Sequence, residues 1–304
     1  MCKKIIAVFI IVIILYCSAC AENIDTIICI GDSLTAHGEY ASTLRDSITD
    51  GKKVIAFGEG STYCLDMVSV QGGVTLYVDP FEIPADRKQV KINLFTDVDK
   101  ESVGYLGARS TDGINPVIID GIEGRITYDE DFSLHQYWFT RSDKGEPHSV
   151  TRPAIVHTYL NNFRNSILVI WLGTNDAALY KDYPERAEAA ANKMCNYISQ
   201  AISYNGNDKY IVLGLTNKPS NVIDTFNKVL ASHFGYHFLD LKSYLVEYGL
   251  FDANITPTPK DLRNISKGSV PYSLLNDDVH FNRAGYEVIG KLIYNKGVEL
   301  GYWK

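Results

Sequence analysis

The sequence has 304 residues, 46% hydrophobic and 21% charged, which is typical of a globular protein with one large domain or two smaller ones. Its 29 basic and 36 acidic residues give a formal net charge of -7. An acidic chain without a basic cluster is a poor partner for nucleic acid and other polyanions. We therefore expect no nucleic-acid partner and a neutral or cationic substrate.

The first residues predict an export signal. Two lysines precede an unbroken apolar run at positions 5–16, which is too short to span a membrane comfortably. The Ala-Cys-Ala run at 19–21 fits a signal-peptidase site, so residues 1–21 are predicted to be a signal peptide. Cys20 also ends a run that resembles a bacterial lipobox, and its lipidation would attach the protein to a membrane. We expect a bacterial protein that is secreted, periplasmic or a cell-surface lipoprotein; an uncleaved anchor is the alternative.

The cysteines do not form a disulfide set once this leader is removed. Cys29, Cys64 and Cys195 would remain, an odd number, and we interpret them as buried thiols. No pair or spacing of Cys and His residues matches a zinc site.

Strand-like and helix-like segments alternate in the first and last parts of the chain. β-Branched apolar runs indicate buried strands, and apolar residues at helical spacing indicate helices. The predicted strands are Thr26–Ile30, Lys53–Phe57, Ser166–Leu172, Lys209–Leu215 and Tyr236–Leu241. The predicted helices are Glu39–Ser47, Pro184–Tyr204, Pro219–Phe234 and Ala284–Leu300. Residues 251–272 hold three prolines and predict an irregular loop.

The middle of the chain, residues 65–151, has a different pattern. Apolar residues alternate with period two, Asp-Gly and Lys-Gly pairs supply turns, and no helical period interrupts them. The predicted strands are 74–78, 90–94, 117–119, 124–128 and 136–139. These features predict an all-β subdomain inserted into an α/β core of residues 22–64 and 152–304.

A group of aromatic residues in this segment has two interpretations. Tyr128, Tyr137, Trp138 and Phe139 could form a platform that stacks on sugars, or they could fill the core of the segment itself. The second interpretation is favoured.

Polar residues follow several of the predicted strands. Ser33 follows the first strand, Gly60 the second and Asn175 the third, while Asp277 and His280 precede the last helix. In a parallel sheet these loops all leave the same edge, so the five residues are expected to converge.

The chemistry of these residues predicts a serine hydrolase. Ser33 would be the nucleophile, His280 its general base, and Asp277 the group that orients the imidazole. The amides of Ser33 and Gly60 and the side chain of Asn175 would form an oxyanion hole. Each motif alone is weak evidence, but all four in this order are not expected by chance.

The four motifs resemble the blocks of the SGNH or GDSL-type serine hydrolases. The blocks are similar to Gly31-Asp32-Ser33-Leu34, Gly58-Glu59-Gly60, Gly173-Thr174-Asn175-Asp176 and Asp277-Asp278-Val279-His280. The resemblance implies a flavodoxin-like three-layer α/β/α fold, a parallel sheet of order 2-1-3-4-5, and no metal or cofactor. Phe57 stands where the family often has asparagine. Asp278 adjoins Asp277, and the family spacing favours Asp277 as the orienting acid.

The remaining histidines are given lesser roles. His37 is close to Ser33 in sequence and is a candidate for lining the pocket. The other five lack a carboxylate at a useful spacing and are interpreted as structural or exposed: His135, His148, His157, His233 and His237.

Three functions fit the sequence. The first is an exported serine esterase that hydrolyses O-acyl esters, O-acetyl esters in particular, on a carbohydrate. The second keeps the triad but passes the acyl group to a cell-surface glycan. The third is a non-catalytic, glycan-binding surface protein, against which the complete set of catalytic residues argues.

Overall fold

The computed structural model of the protein describes residues 25–98, 106, 113–129, 136–216 and 220–304. The predicted signal segment and its Cys20, together with His135 and Pro219, lie outside these residues. Among the helices of the described ranges, none is long and apolar enough to cross a membrane.

The strands and helices are numbered separately in chain order. The strands are β1 Thr26–Gly31, β2 Lys53–Gly58, β3 Leu76–Val78, β4 Phe81–Ile83, β5 Val90–Ile92, β6 Leu94–Thr96, β7 Val117–Ile119, β8 Ile122–Tyr128, β9 Tyr137–Arg141, β10 His148–Val150, β11 Ala154–His157, β12 Ile167–Trp171, β13 Tyr210–Leu213 and β14 Phe238–Leu239. The helices are α1 Ser33–Ala36, α2 Glu39–Ser47, α3 Cys64–Gln71, α4 Thr174–Ala178, α5 Ala187–Asn205, α6 Ser220–Phe234, α7 Leu241–Glu247, α8 Gly249–Asp252, α9 Pro259–Ile265 and α10 Arg283–Glu299. Short 3₁₀ turns lie at Tyr159–Phe163, Pro184–Arg186, Gly235–His237 and Tyr272–Leu274.

A five-stranded parallel sheet lies at the centre of the α/β part, in the order β14-β13-β12-β1-β2. Alternate residues of its strands pack on opposite faces. Ile28 and Ile30 contact the apolar cluster that includes α3, α5 and α6, whereas Ile27 and Cys29 contact the cluster of α2, α7 and α10. Burial on both faces explains why these strands are continuous apolar runs. The α/β class and the parallel sheet are confirmed.

The predicted irregular loop at 251–272 is wrong, because α8 and α9 lie partly or wholly within it. Pro259 is the first residue of α9, a position where proline favours the start of a helix. The Thr258 hydroxyl accepts from the Asp261 amide at 3.2 Å, and the Asp261 carboxylate accepts from the Thr258 amide at 2.8 Å. This reciprocal capping stabilises the helix start.

The middle segment is mostly antiparallel β structure. A seven-stranded sheet has the order β5-β9-β8-β7-β11-β3-β6, and β10 pairs with β4. The expectation of no helix within 65–151 is wrong, because α3 covers Cys64–Gln71. Since nearly every residue of α3 is buried, its sequence shows little amphipathic period. β11 lies beyond the predicted end at 151, yet it pairs with β3 and β7.

The aromatic residues of β9 alternate between the two faces of its sheet. Tyr137 and Phe139 are 3% and 0% exposed and belong to the core, whereas Trp138 points to the other face and is half-buried. The interpretation of these residues as core is therefore confirmed for Tyr137 and Phe139. Cys29, Cys64 and Cys195 are free, buried thiols, as predicted.

Candidate active site

Ser33 lies where β1 ends and α1 begins. A side chain at Gly31 would bring its Cβ within 2.6 Å of the Trp171 carbonyl, so glycine allows the turn to pack closely against β12. Asp32 caps α1 by accepting a hydrogen bond from the Leu34 amide at 3.0 Å. The sharp turn and the cap fix Ser33 at the carboxyl edge of the sheet.

Asp32 is fully buried, and burial raises its pKa to about 6. The hydrogen bond that Asp32 accepts from the Leu34 amide acts in the opposite direction.

The structure brings Ser33, His280 and Asp277 into one hydrogen-bonded chain. His280 Nε2 lies 2.9 Å from Ser33 Oγ, and His280 Nδ1 lies 2.8 Å from Asp277 Oδ2. A neutral imidazole with its proton on Nδ1 donates to Asp277 and leaves Nε2 free to accept from the serine. The convergence predicted from the strand ends is therefore present in the structure.

Asp277 is held by main-chain donors as well. Its Oδ1 accepts from the amides of Val279 and His280, each at 2.7 Å. These bonds and the bond from the His280 imidazole lower the pKa of Asp277 to about 2, the His280 amide having the largest effect. Asp277 is thus ionised at neutral pH, and its orientation is fixed by groups other than the imidazole that it contacts.

Of the other two predicted site residues, Gly60 faces the serine and Asn175 contacts the turn that follows Gly60. A Cβ at Gly60 would lie 4.0 Å from Ser33 Cβ with no other atom within that distance, so Gly60 faces the serine across open space. Asn175 Nδ2 donates to the Thr62 carbonyl at 2.8 Å. An amide nitrogen carries two hydrogens, so Asn175 can donate a second bond while Thr62 fixes its orientation.

Asp176 links the third motif to α3, a contact the sequence analysis missed. Its Oδ2 accepts from the Cys64 amide at 3.0 Å. The pKa of Asp176 is raised to about 7, mainly by burial and in smaller part by the nearby carboxylates of Asp66 and Asp32. No local sequence signal joins residues 64 and 176, so this contact could not be found from motifs.

His37 lies against the imidazole of His280, with the ring centres 5.1 Å apart and the rings edge-to-face. The expectation that it lines the site agrees with this contact. His148 does have a carboxylate partner, since its Nε2 lies 2.7 Å from Asp120 Oδ2, in contrast to the expectation. The two residues are 28 positions apart, so spacing in the sequence could not show the pair.

Two cavities lie close to these residues. One, of about 330 Å³, is lined by Tyr63, Asp66, Asp176, Tyr180, Lys193 and Met194, and adjoins the third motif. The other, of about 290 Å³, has lysines in its wall and adjoins the loop of Asp277. Within the described ranges, no three His, Cys, Asp or Glu groups are arranged as metal ligands.

Comparisons with known proteins place the chain in a family. The family model described as GDSL-like Lipase/Acylhydrolase matches residues 27–293, which is most of the chain. A solved structure described as "Peptidoglycan O-acetylesterase in action, 5 min" is similar at 10% identity and a TM-score of 0.37, over 90% of this chain and 91% of that one. No curated protein matches the sequence. The chain belongs to the GDSL-like lipase/acylhydrolase family, and it is an enzyme that hydrolyses esters.

Proposed function

We propose that the protein is an exported serine esterase that removes O-acyl groups, O-acetyl in particular, from a carbohydrate by way of an acyl-enzyme. The observation that carries the proposal is the continuous chain of hydrogen bonds from Ser33 Oγ through the His280 imidazole to the Asp277 carboxylate. This arrangement supplies a nucleophile, a base and an orienting anion in the order that acyl transfer requires.

In the first half-reaction, Ser33 Oγ attacks the ester carbonyl while His280 Nε2 takes the serine proton. The tetrahedral intermediate then collapses to the acyl-enzyme, and His280 gives that proton to the leaving alcohol. In the second half-reaction, water attacks the acyl-enzyme while His280 Nε2 takes its proton, and His280 then gives that proton to Ser33 Oγ as the acid leaves. Asp277 stays ionised throughout, because its pKa is about 2, and stabilises the imidazolium at each step.

The charge that develops on the carbonyl oxygen needs donors. The amides of Ser33 and Gly60 and the second Nδ2 hydrogen of Asn175 fit this role, since Gly60 faces Ser33 and Asn175 is oriented by the Thr62 carbonyl. One such donor typically contributes about 3 kcal/mol to transition-state stabilisation.

The surroundings of the triad leave room for a large alcohol. The His280 and Asp277 side chains are 28% and 56% exposed, so the site is open towards solvent on the side where the alcohol leaves. The predicted signal peptide supports a substrate outside the cytoplasm.

The test compares Ser33→Ala with the native enzyme and with Ser142→Ala, a control whose hydroxyl donates to Glu123 in the β-rich segment. We expect p-nitrophenyl acetate hydrolysis and acetate release from acetylated oligosaccharides to be lost only in Ser33→Ala, with unchanged circular dichroism. A panel of p-nitrophenyl esters should show falling kcat/KM from acetyl to octanoyl. Full activity of Ser33→Ala would refute the triad, and preference for octanoyl would refute the acetyl specificity. Mass spectrometry of the mature N-terminus tests export.

A further inference from the structure

We infer that the cavity beside the loop of Asp277 and His280 binds an oxyanion on the alcohol part of the ester, so that the substrate is an acidic glycan. The inference rests on the proposed function and specifies its substrate class. The cavity, here called the lysine pocket, has a volume of about 290 Å³ and contains the polar residues Thr216, Lys242, Lys260, Asn264, Lys267 and Ser269.

The lysine pocket lies at the same edge of the sheet as the triad. Thr216 follows β13, and β13 is the neighbour of β12, which is in turn the neighbour of β1. Strands in a sheet are about 4.8 Å apart, so the pocket begins roughly 10 Å along the edge from the strand that carries Ser33. That distance lies within the reach of one extended substrate.

The side of the triad on which the pocket lies assigns it to the alcohol. Leu275 and Asp278, on the loop that leads to His280, form part of the pocket wall, and Leu275 bridges to Phe281 just after the histidine. Because His280 gives its proton to the leaving oxygen, the alcohol must lie next to this loop. Gly60 and Asn175, the proposed donors to the carbonyl oxygen, follow β2 and β12 instead.

The charge of the pocket is opposite to that of the whole chain. Three lysines and one aspartate, Asp278, line it, in a protein of net charge -7. The Lys242 ammonium pairs with Asp224. The Lys260 ammonium lies over the Tyr272 ring, 2.9 Å from its centre. Within the described residues, neither Lys260 nor Lys267 forms an ion pair, so both ammonium groups can bind a ligand anion.

A buried hydroxyl group provides a second, independent observation. Thr216 is 4% exposed, and its Oγ1 has no hydrogen-bond partner among the described residues. An unpaired buried polar atom carries a free-energy cost of its own, and buried polar groups without a partner in the protein often meet one in a ligand. The hydroxyl is itself covered in this conformation, so a rotation about the Cα–Cβ bond of Thr216 would bring it into the pocket, where it would donate to an oxyanion that the lysines attract.

These donors fit a compact oxyanion, which is a carboxylate on a uronic acid or a phosphate on a sugar. Ammonium groups bind such anions as point charges, and a hydroxyl adds a directed hydrogen bond. A neutral sugar would leave Lys260 and Lys267 without a partner. The charge next to the site thus favours an anionic substrate, whereas the net charge of the protein favours a neutral or cationic one.

The first experiment measures binding without catalysis. Ser33→Ala is titrated calorimetrically with three unacylated probes: trigalacturonate, a phosphorylated disaccharide and neutral cellotriose. We expect at least one anionic probe to bind about tenfold or more tightly than cellotriose. Comparing the affinities of the two anionic probes then identifies which oxyanion fits the pocket. Equal binding of all three probes would overturn the inference.

Two charge-matched variants then locate the binding. Adding Lys260→Gln and Lys267→Gln to Ser33→Ala should weaken binding of the preferred anion about tenfold and leave cellotriose binding unchanged. The control adds Lys88→Gln and Lys144→Gln, two exposed lysines of the β-rich segment that make the same change in net charge. An equal loss in both variants would show a general effect of charge and overturn the pocket. Matching melting temperatures ensure that both variants are folded.

The last measurement connects the pocket to hydrolysis. With Ser33 intact, the ratio of kcat/KM for acetylated oligosaccharides that carry the preferred anion to that for acetylated xylo-oligosaccharides should fall about tenfold in the Lys260→Gln/Lys267→Gln enzyme. An unchanged ratio would overturn the role of the pocket in specificity. Because the titration uses no ester and no active serine, failure of the proposed hydrolysis and failure of this inference give different results.

Discussion

Replacement of Asp277 by asparagine should disable the triad without moving its atoms. In the native enzyme Asp277 accepts three hydrogen bonds, one from the His280 imidazole and two from the amides of Val279 and His280. Asparagine has one acceptor and one donor group at these positions, so it cannot satisfy both sides. If its oxygen faces the two amides, its NH₂ group faces His280 Nδ1 and stabilises the tautomer whose Nε2 carries the proton. That tautomer cannot accept the proton of Ser33.

The magnitude follows from the alternative orientation. Turning the asparagine side chain by a half-turn restores the productive tautomer, but it places the NH₂ group against two amide donors that are 2.7 Å from an acceptor in the native enzyme. Each unsatisfied amide costs about 1–3 kcal/mol, and the 56% exposure of the Asp277 side chain favours the lower end. A total of about 2–4 kcal/mol corresponds to a loss of about 30- to 1000-fold in kcat. Loss of the negative charge beside the imidazolium adds to this decrease.

The assay is steady-state hydrolysis of p-nitrophenyl acetate, together with the rate at which a fluorophosphonate probe labels Ser33. Both rates should fall in Asp277→Asn, while the circular dichroism spectrum is unchanged. Asp143→Asn, in an exposed loop of the β-rich segment, is the control and should match the native enzyme. If Asp277→Asn keeps kcat within threefold of the native value, the reasoning is refuted, because another group must then orient His280.

Three further predictions concern residues around the serine. Asn175→Ala should lower kcat about 10²- to 10³-fold with little change in KM, and steady-state kinetics with a melting curve separates this loss from unfolding. Gly60→Ala places a methyl group 4.0 Å from Ser33 Cβ in otherwise open space, so kcat/KM should fall while the melting temperature is unchanged. Gly31→Ala is the contrasting variant: its Cβ would lie 2.6 Å from a main-chain carbonyl oxygen, so the melting temperature should fall. Asp176 has a folded pKa of about 7, raised by burial, so the stability it provides is present below its unfolded pKa of 3.8 and is lost as pH rises through 7. Relative to the native enzyme, Asp176→Asn should therefore gain on the order of 3 kcal/mol in urea-unfolding free energy between pH 5 and pH 8, and a pH-independent difference would contradict this assignment.

Several features of the fold could be predicted because one local signal determines each of them. The strands of the parallel sheet are β-branched apolar runs, and the predicted α2 has the same bounds as the observed helix, Glu39–Ser47. The helix α3 was missed because burial on all sides removes its amphipathic period. The sequence does not predict the helix α9, because the three prolines in residues 251–272 favour an irregular loop, although Pro259 at the first turn stabilises a helix.

The proximity of Ser33 and His280 could be predicted although 247 positions separate them. Their proximity is predicted because loops after parallel strands share one edge of the sheet. The catalytic roles of these residues stay proposals, since proximity alone does not establish them. No such rule predicts the contact of Asp176 with the Cys64 amide, because this contact depends on where a buried helix begins.

The lysine pocket likewise could not be predicted from the charges in the sequence. Its lysines come from three separate segments, around positions 242, 260 and 267, and none of them belongs to a motif or a basic run. Net charge describes the long-range field of the protein, which salt screens over about 10 Å. Recognition depends on groups within a few ångströms of the substrate, and in the proposed pocket Lys260 and Lys267 would outweigh the single carboxylate of Asp278. An acidic enzyme can therefore select an acidic glycan, provided that the anion is held on the side of the triad where the alcohol leaves.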